Sequence, residues 1–270
     1  MKVILSHDVD HLKLSEHLLK DFIVQKYYVR TMLEFGKGMI SFKEVLNRFA
    51  ELFHNKWNGV NELISLHNSL NIKSVFFLGV ANGRGLSYRH EDAAYWIKHI
   101  YENNFEVGVH GIAFENFADM KIEFKRFEKY LGNNDFGIRM HYLKMTENTL
   151  SYMKECGYKY DCTLNQFKDP YFKDGILEFP LQIMDGWVMD GNKRWQTRNF
   201  EQAKDYTKQE IEKAQNVNLN YLSILFHDRY YSNSFITWKV WYEWLLQYLM
   251  DNKFELTDYR TVIKNDKRFY

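Results

Sequence analysis

The chain begins with the sequence Met1-Lys-Val-Ile-Leu-Ser-His7-Asp8-Val-Asp10-His11, in which a short apolar run leads directly into two carboxylates. A run of this length and composition predicts a buried β-strand. Side chains alternate along a strand, so Asp8 and Asp10 would point the same way, and two like charges side by side require a cation or a shared proton. Ligands of α/β folds bind at the carboxyl ends of the strands. The segment 7–11 is therefore a candidate site.

Further apolar runs end in polar or histidine-bearing segments, and helical patterns lie between them. The runs cover 2–6, 74–79, 106–109 before His110, 137–141 around Arg139, and 221–226 before His227, with a last strand at 254–257. The helical patterns cover 90–103, 121–131, 146–156, 200–215 and 235–249. Strands that alternate with helices indicate parallel βαβ units, whose strand ends meet at one face. The order predicts a barrel-like α/β fold.

The length of 270 residues and the absence of a low-complexity linker favour one domain over residues 1–270. Between the first two strands, residues 12–70 form an insertion with helical periodicity at 14–35, 42–53 and 60–70. Basic residues outnumber acidic ones there, so a membrane or partner surface is one interpretation. Helices packed on the barrel with a solvated charged face are the favoured one.

Composition excludes several classes of function. The net charge of +1 provides no overall field for nucleic acid or an anionic membrane. Two cysteines, Cys156 and Cys162, are too few for a disulfide scaffold, so both are expected to be reduced. No apolar stretch approaches the roughly 20 residues that span a bilayer, and no signal peptide precedes the first strand. We expect a cytoplasmic protein.

The ordered set of strand ends resembles the polysaccharide deacetylase superfamily (NodB-homology, carbohydrate esterase family 4) across most of the chain outside the insertion. The segment Ser6-His7-Asp8-Val9-Asp10 resembles the family's first motif, in the branch with two acids one residue apart. The segments 73–79 and 104–110 resemble its second strand and the strand that delivers its first metal-binding histidine. The resemblance implies a distorted (β/α)7-type barrel with a helical insertion after the first strand.

The resemblance also implies a divalent metal, Zn²⁺ with Co²⁺ or Ni²⁺ as alternatives. Asp8 would be the general base, and Asp10 and His110 would be metal ligands. The family places another histidine four residues after the first, and that position is Phe114 here. Glu115 is the predicted third ligand, because a carboxylate suits a divalent cation better than an amide. His7 or His11 could complete the ligand set instead.

The remaining motifs supply the other catalytic groups. Arg139 resembles the arginine that orients the catalytic carboxylate and keeps it ionised, and His141 stands where many members have proline. His227 resembles the histidine that acts as general acid. Asp161, in the region of the fourth motif, is predicted to be catalytic as the partner of His227, with Asp185 as the alternative.

The implied reaction is metal-assisted hydrolysis of an N-acyl group, N-acetyl above all, on a carbohydrate. A sugar carried on a nucleotide or a lipid, as an intermediate of surface-polysaccharide biosynthesis, would suit a cytoplasmic enzyme. One alternative is a haloacid dehalogenase-like phosphatase with Asp8 as nucleophile and Asp10 as acid. Another is a catalytically inactive glycan-binding protein on the same fold, which the replacement of a ligand by Phe114 would explain. The oligomeric state is not predicted.

Overall fold

A computed structural model describes residues 1–18 and 22–269 of the chain. One mixed sheet forms the centre of the molecule. Its strands are β1 (Lys2–Val9), β2 (Val75–Leu78), β3 (Glu106–Gly111), β4 (Ile138–Met140), β5 (Tyr160–Asp161), β6 (Tyr171–Lys173), β7 (Ile176–Glu178), β8 (Ile183–Met184), β9 (Tyr221–Leu225) and β10 (Glu255–Thr257).

The strands follow the order β6-β7-β5-β4-β3-β2-β1-β9-β8, and β10 also pairs with β1. Every pairing is parallel except that of β6 with β7. After β7, the backbone of Phe179 and Leu181 donates to Asp161 and Leu164, and that of Gln182 donates to Ser223 of β9. This segment connects the β5 side to the β9 side, so the sheet curls into an incomplete barrel.

Helices cover the sheet on its outside. They are α1 (Ile23–Gly36), α2 (Phe42–Ala50), α3 (Val60–Ser69), α4 (His90–Glu102), α5 (Phe117–Leu131), α6 (Thr149–Cys156), α7 (Asp185–Met189), α8 (Phe200–Asn216), α9 (Ile236–Asp251) and α10 (Tyr259–Asn265). Short 3₁₀ segments lie at Leu14–His17, Glu51–Phe53, Asp228–Tyr230 and Lys267–Phe269. Side-chain caps start several helices, as at Ser41 before α2 and Asn199 before α8.

The predicted long elements are present, with ends shifted by a few residues. The strand predicted at 2–6 extends to Val9, and the helix predicted at 121–131 starts at Phe117. The prediction did not include β5, β6, β7 and β8, which are only two or three residues long. The insertion is helical as predicted, although part of the 14–35 pattern, residues 19–21, lies outside the described residues.

Close packing explains why two positions at the sheet are glycine. A β-carbon added at Gly108 would lie 2.5 Å from the Phe77 ring, and one at Gly137 would lie 2.3 Å from the Tyr160 ring. Both strands, β3 and the one that begins at Ile138, therefore approach large aromatic neighbours that leave no room for a side chain. In the described ranges, no helix has the length and apolar character needed to cross a bilayer.

Candidate metal centre and active site

Six polar side chains meet where the parallel strands end. Asp8 lies near the end of β1, and Asp10 follows that strand directly. His110 belongs to β3, His141 follows β4 directly, and His227 follows β9 after one residue. The sixth is the guanidinium of Arg139, the central residue of β4. Carboxyl ends of parallel strands share one edge of a sheet, which is why residues far apart in sequence are neighbours here.

Asp10, His110 and His141 form a group that could hold a metal ion. Asp10 Oδ1 lies 3.2 Å from His110 Nε2 and 3.4 Å from His141 Nδ1. The two ring nitrogens are 2.9 Å apart. The imidazoles are almost fully buried, and the carboxylate is 18 % exposed. Three potential ligand atoms, two imidazole nitrogens and one carboxylate oxygen, therefore lie close together.

The outer ring nitrogens define the protonation of this group. His110 Nδ1 lies 3.1 Å from the carbonyl oxygen of Arg139, and His141 Nε2 lies 3.0 Å from that of Arg84. A carbonyl only accepts, so each outer nitrogen carries a proton and donates it. In a neutral imidazole the other nitrogen then holds a lone pair, so both inner nitrogens present lone pairs to each other and to Asp10. Such an arrangement is unfavourable unless a metal ion, or a proton on one imidazole, lies between these atoms. Outer hydrogen bonds of this kind are typical of metal-binding histidines.

One carboxylate oxygen of this group lacks a hydrogen bond, which also indicates a metal site. Asp10 Oδ1 is buried and makes no hydrogen bond of acceptable geometry, despite the two nearby imidazoles. Buried carboxylate oxygens without a donor are rare because their desolvation is costly. The donor set of two imidazoles and one carboxylate is one that Zn²⁺ and similar ions bind.

Strained backbone fixes the position of His141. Tyr142 and Leu143, the next two residues, have φ values of 57° and 53°, and Arg84, whose carbonyl binds the imidazole, has a φ of 54°. Non-glycine residues rarely adopt this left-handed conformation, and each costs on the order of 1 kcal/mol or more. The surrounding structure enforces a sharp turn here.

Asp8 is oriented by a buried arginine. Arg139 Nη1 donates to Asp8 Oδ1 at 2.9 Å. The same guanidinium donates from Nε to the Cys162 carbonyl and from Nη2 to the Tyr259 hydroxyl, and its carbon lies 4.5 Å from the centre of the Phe77 ring. Each of the three guanidinium nitrogens thus donates a hydrogen bond. The other carboxylate oxygen, Asp8 Oδ2, lies 3.7 Å from His110 Nε2 and faces the metal group.

His227 is held by Asp185. Its Nδ1 lies 2.8 Å from Asp185 Oδ1, and its backbone N–H donates to Asp185 Oδ2 at 2.7 Å. Burial lowers the pKa of His227, but the charge and hydrogen bond of Asp185 outweigh it and raise the pKa to about 10. The Nε2 atom lies 3.7 Å from Asp10 Oδ2. This imidazole is therefore a protonated group at the edge of the site.

Two predicted site residues lie elsewhere. Glu115, the predicted third ligand, is 65 % exposed and pairs with Arg84 at 3.4 Å on the wall of a separate cavity of about 380 Å³. The site brings His141 into the ligand group instead. Asp161 does not contact His227. Its carboxyl interacts with that of Glu178 across the β5–β7 pair, and Asp185, the alternative, is the partner of His227.

The other two candidate ligands also point away from the metal group. His7 faces the opposite side of β1, where its Nδ1 lies 2.9 Å from the Phe226 carbonyl. His11 pairs through Nδ1 with His17 Nε2 at 2.9 Å. The resemblance predicts the third ligand in the loop after His110, whereas the structure places His141 next to Asp10 and His110. The position of His141 directly after a strand, like that of Asp10, was the signal that could have found it.

A groove of about 910 Å³ is lined by residues that are close in sequence to the site residues, among them His11, Tyr142 and Tyr230. Its far wall comes from α1 and from the loop that carries Arg194 and Trp195. The insertion thus forms part of the surface that a ligand of the site would contact.

No family model and no curated protein matches the sequence. Solved structures do match. A Mycobacterium smegmatis protein assigned to the polysaccharide deacetylases aligns at a TM-score of 0.65 with 14 % identity, over 97 % of this chain and 88 % of that one. Puue allantoinase aligns at 0.63 with 13 % identity, over 100 % of this chain and 91 % of that one. A Pseudomonas aeruginosa PAO1 protein assigned to the polysaccharide deacetylases aligns at 0.61 with 14 % identity, over 97 % and 89 %. The chain therefore has the fold of the polysaccharide deacetylase superfamily, a NodB-type (β/α) barrel.

Proposed function

We propose that this protein is a metal-dependent hydrolase that removes an N-acyl group, N-acetyl above all, from a sugar. The observation that carries the proposal is the convergence of the inner nitrogens of His110 and His141 on Asp10, while their outer nitrogens are hydrogen-bonded to backbone carbonyls. The deacetylase names of the structurally similar proteins from M. smegmatis and P. aeruginosa support the reaction class.

Asp10, His110 and His141 are the proposed ligands of a divalent ion. When bound, the ion would lower the pKa of a water molecule and polarise the acyl carbonyl. Zn²⁺ suits this donor set, and Co²⁺ or Ni²⁺ would fit as well.

The other residues of the site move the protons. Asp8 takes a proton from the attacking water while Arg139 keeps its carboxylate in place. The water oxygen bonds to the acyl carbon, the carbon–nitrogen bond breaks, and His227 donates a proton to the departing amine. Asp185 keeps His227 protonated and correctly turned. The products are a carboxylate and a free amino sugar.

The groove supports a substrate larger than a single sugar. Trp195 and Tyr142 line the groove with aromatic rings on which a sugar ring can stack, and Lys26 and Arg194 bring positive charge to it. We propose a sugar carried on a nucleotide or a lipid through phosphate, as occurs during surface-glycan assembly. Release of acetate or formate from such sugars by the metal-loaded protein would identify the substrate.

Neither alternative function gains support from the site. A haloacid dehalogenase-like mechanism would leave the imidazoles of His110, His141 and His227 without a role. An inactive glycan-binding protein would not need a base, an acid and their buried partners to be retained together. We therefore propose the hydrolase and neither alternative.

The test is the substitution Asp8→Asn in the metal-loaded protein. Asparagine can still accept the hydrogen bond from Arg139, so the fold and the bound metal should persist. Loss of the base should lower kcat by about 10²- to 10⁴-fold. The matched control is Asp205→Asn, which changes an exposed carboxylate on α8 and should leave the rate unchanged.

Metal content measured by atomic absorption and acyl release measured on the same samples distinguish the outcomes. Full activity of Asp8→Asn would show that the base is elsewhere. Wild-type protein that binds metal but releases no acyl group from any N-acylated sugar tested would exclude the proposed reaction.

A further inference from the structure

Helices α1 and α2 form a hairpin whose outer face is apolar. More than half of the exposed large hydrophobic side chains of the described residues lie between 18 and 53. They are Leu18, Phe22, Val29, Met32, Phe35, Phe42, Leu46, Phe49, Leu52 and Phe53. We call the part from Phe22 to Phe53 the hairpin face. Monomeric proteins rarely expose so many large apolar groups together, and such patches mark a surface that something else covers.

The exposed side chains of the hairpin face are contiguous. On α2 and the 3₁₀ turn after it, Phe42, Leu46, Phe49 and Phe53 follow one another at helical spacing and are 62 %, 53 %, 38 % and 85 % exposed. Ring contacts join them to α1: Phe35 lies 6.2 Å from Phe42, and Tyr28 lies 4.7 Å from Phe49. The two helices therefore present a single apolar surface.

The inner side of the hairpin is charged, which fixes the direction of the apolar face. Arg48 is fully buried and binds Glu34 at 2.7 Å and Glu44 at 3.0 Å. It also donates to the Ser234 carbonyl, and Arg30 binds Asp190 at 3.0 Å. Breaking these buried pairs would leave uncompensated charges, so the hairpin cannot rotate to hide its apolar side.

The charged side chains that the hairpin itself exposes are all basic. Within residues 22–54, Lys26, Lys37 and Lys43 are exposed. The acids of the same segment point inward, since Glu34 and Glu44 are buried with Arg48 and Glu51 pairs with Arg229 at 2.5 Å. Exposed aromatic and aliphatic groups with lysines and without exposed acids match the surface of an anionic bilayer.

We propose that the hairpin face docks on the surface of an anionic lipid bilayer, with its aromatic side chains at the level of the headgroups. The face is continuous with the groove, because Lys26 and Val29 belong to both. Docking would therefore bring the mouth of the groove next to the bilayer. The docking itself does not depend on the proposed chemistry and can be tested without a substrate.

The experiment is co-sedimentation of the full chain with vesicles of phosphatidylcholine, with or without phosphatidylglycerol. We expect binding to the anionic vesicles that weakens with added salt. The variant Phe42→Ser/Leu46→Ser/Phe53→Ser should bind on the order of tenfold or more weakly. The charge variant Lys37→Gln/Lys43→Gln should lose about fivefold for each lysine, as expected for a basic residue near the surface.

The matched control is Tyr95→Ser/Ile122→Ser/Phe172→Ser, which removes three exposed apolar groups outside the hairpin and should bind like the wild type. Thermal unfolding checks that each variant is folded, and the charge variant tests the face even if the serine variant is not. The proposal is overturned if the wild-type protein does not bind anionic vesicles. It is also overturned if light scattering shows a dimer that only the hairpin variants dissociate, because the face would then cover a second copy.

Discussion

His141 and Glu115 differ in what surrounds them, and this difference decides which can bind a metal. The imidazole of His141 is almost fully buried, its outer nitrogen is held by the Arg84 carbonyl, and its inner nitrogen faces Asp10. The carboxylate of Glu115 is largely in solvent and bound to the Arg84 side chain. Only the first is pre-oriented, and pre-orientation by outer hydrogen bonds is what makes a ligand strong.

We expect His141→Ala to reduce divalent metal affinity by more than about 100-fold, since even the loss of an outer hydrogen-bond partner costs about 10- to 100-fold. The control is Glu115→Ala, which should retain wild-type affinity. Titration calorimetry with Zn²⁺ on both variants measures the difference. The reverse order of affinities would return Glu115 to the ligand set.

At the scale of residues, the sequence allowed most of the site to be predicted. The strand-end positions of Asp8, Asp10, His110, Arg139 and His227, together with the family resemblance, predict a common site, and the structure brings these side chains together. The choices that required knowledge of contacts were less successful. A loop residue such as Glu115 can turn toward or away from a site, and sequence spacing does not distinguish the two directions.

The short strands β5 and β7 carry a buried pair of carboxyls. Asp161 and Glu178 are opposite each other in the parallel register, and their carboxyl groups interact. Glu178 Oε1 accepts from the Leu164 N–H, whereas Glu178 Oε2 and Asp161 Oδ2 are buried without a hydrogen-bond donor. Burial and the neighbouring carboxylate hold the pKa of Glu178 well above its usual value. The fold therefore favours the protonated form of Glu178.

This pair makes stability depend on pH. Because the folded state holds the proton more tightly than the unfolded chain, the contribution of the pair is complete below the ordinary pKa of glutamate. It is lost as the pH rises through the raised value. Glu178→Gln replaces the protonated carboxyl by an amide that never ionises. We expect the variant to lose less stability than the wild type between pH 6 and pH 9, by more than about 1 kcal/mol. Urea unfolding at both pH values measures this, with Asp174→Asn, an exposed carboxylate on the same hairpin, as the control.

At the scale of elements, a clear apolar run or helical periodicity determined what the sequence could predict. Strands such as β1 and β9 and helices such as α8 are long enough to show periodicity. The strands between residues 160 and 184 have two or three residues each, and their pairing depends on neighbours that the local sequence does not reveal. The carboxyl pair of Asp161 and Glu178 follows from that pairing, so it was out of reach and Asp161 was assigned to catalysis.

At the scale of the whole molecule, the site requires the complete sheet. The proposed ligands come from the ends of β1, β3 and β4, and β2 separates β1 from β3. In the unfolded chain these three residues are far apart and cannot bind one ion together. A metal ion that binds the folded state alone stabilises it by mass action.

We therefore expect Zn²⁺ to raise the melting temperature. At a free concentration about 100 times the Kd, the gain is about 2.7 kcal/mol, which for a chain of this size corresponds to about 5–10 °C. Differential scanning calorimetry with Zn²⁺ and with a chelator measures the shift. The variant His141→Ala provides the comparison. An equal shift in that variant would place the stabilising ion at another site.

The insertion supplies a wall of the groove and the apolar hairpin, but none of its side chains belongs to the proposed ligand group. Under the proposed function, the segment that selects the substrate and the segments that hydrolyse it are therefore different parts of the chain. An engineer could graft a foreign helical pair in place of the native one, retaining the hydrolytic centre while redirecting it to another acylated compound.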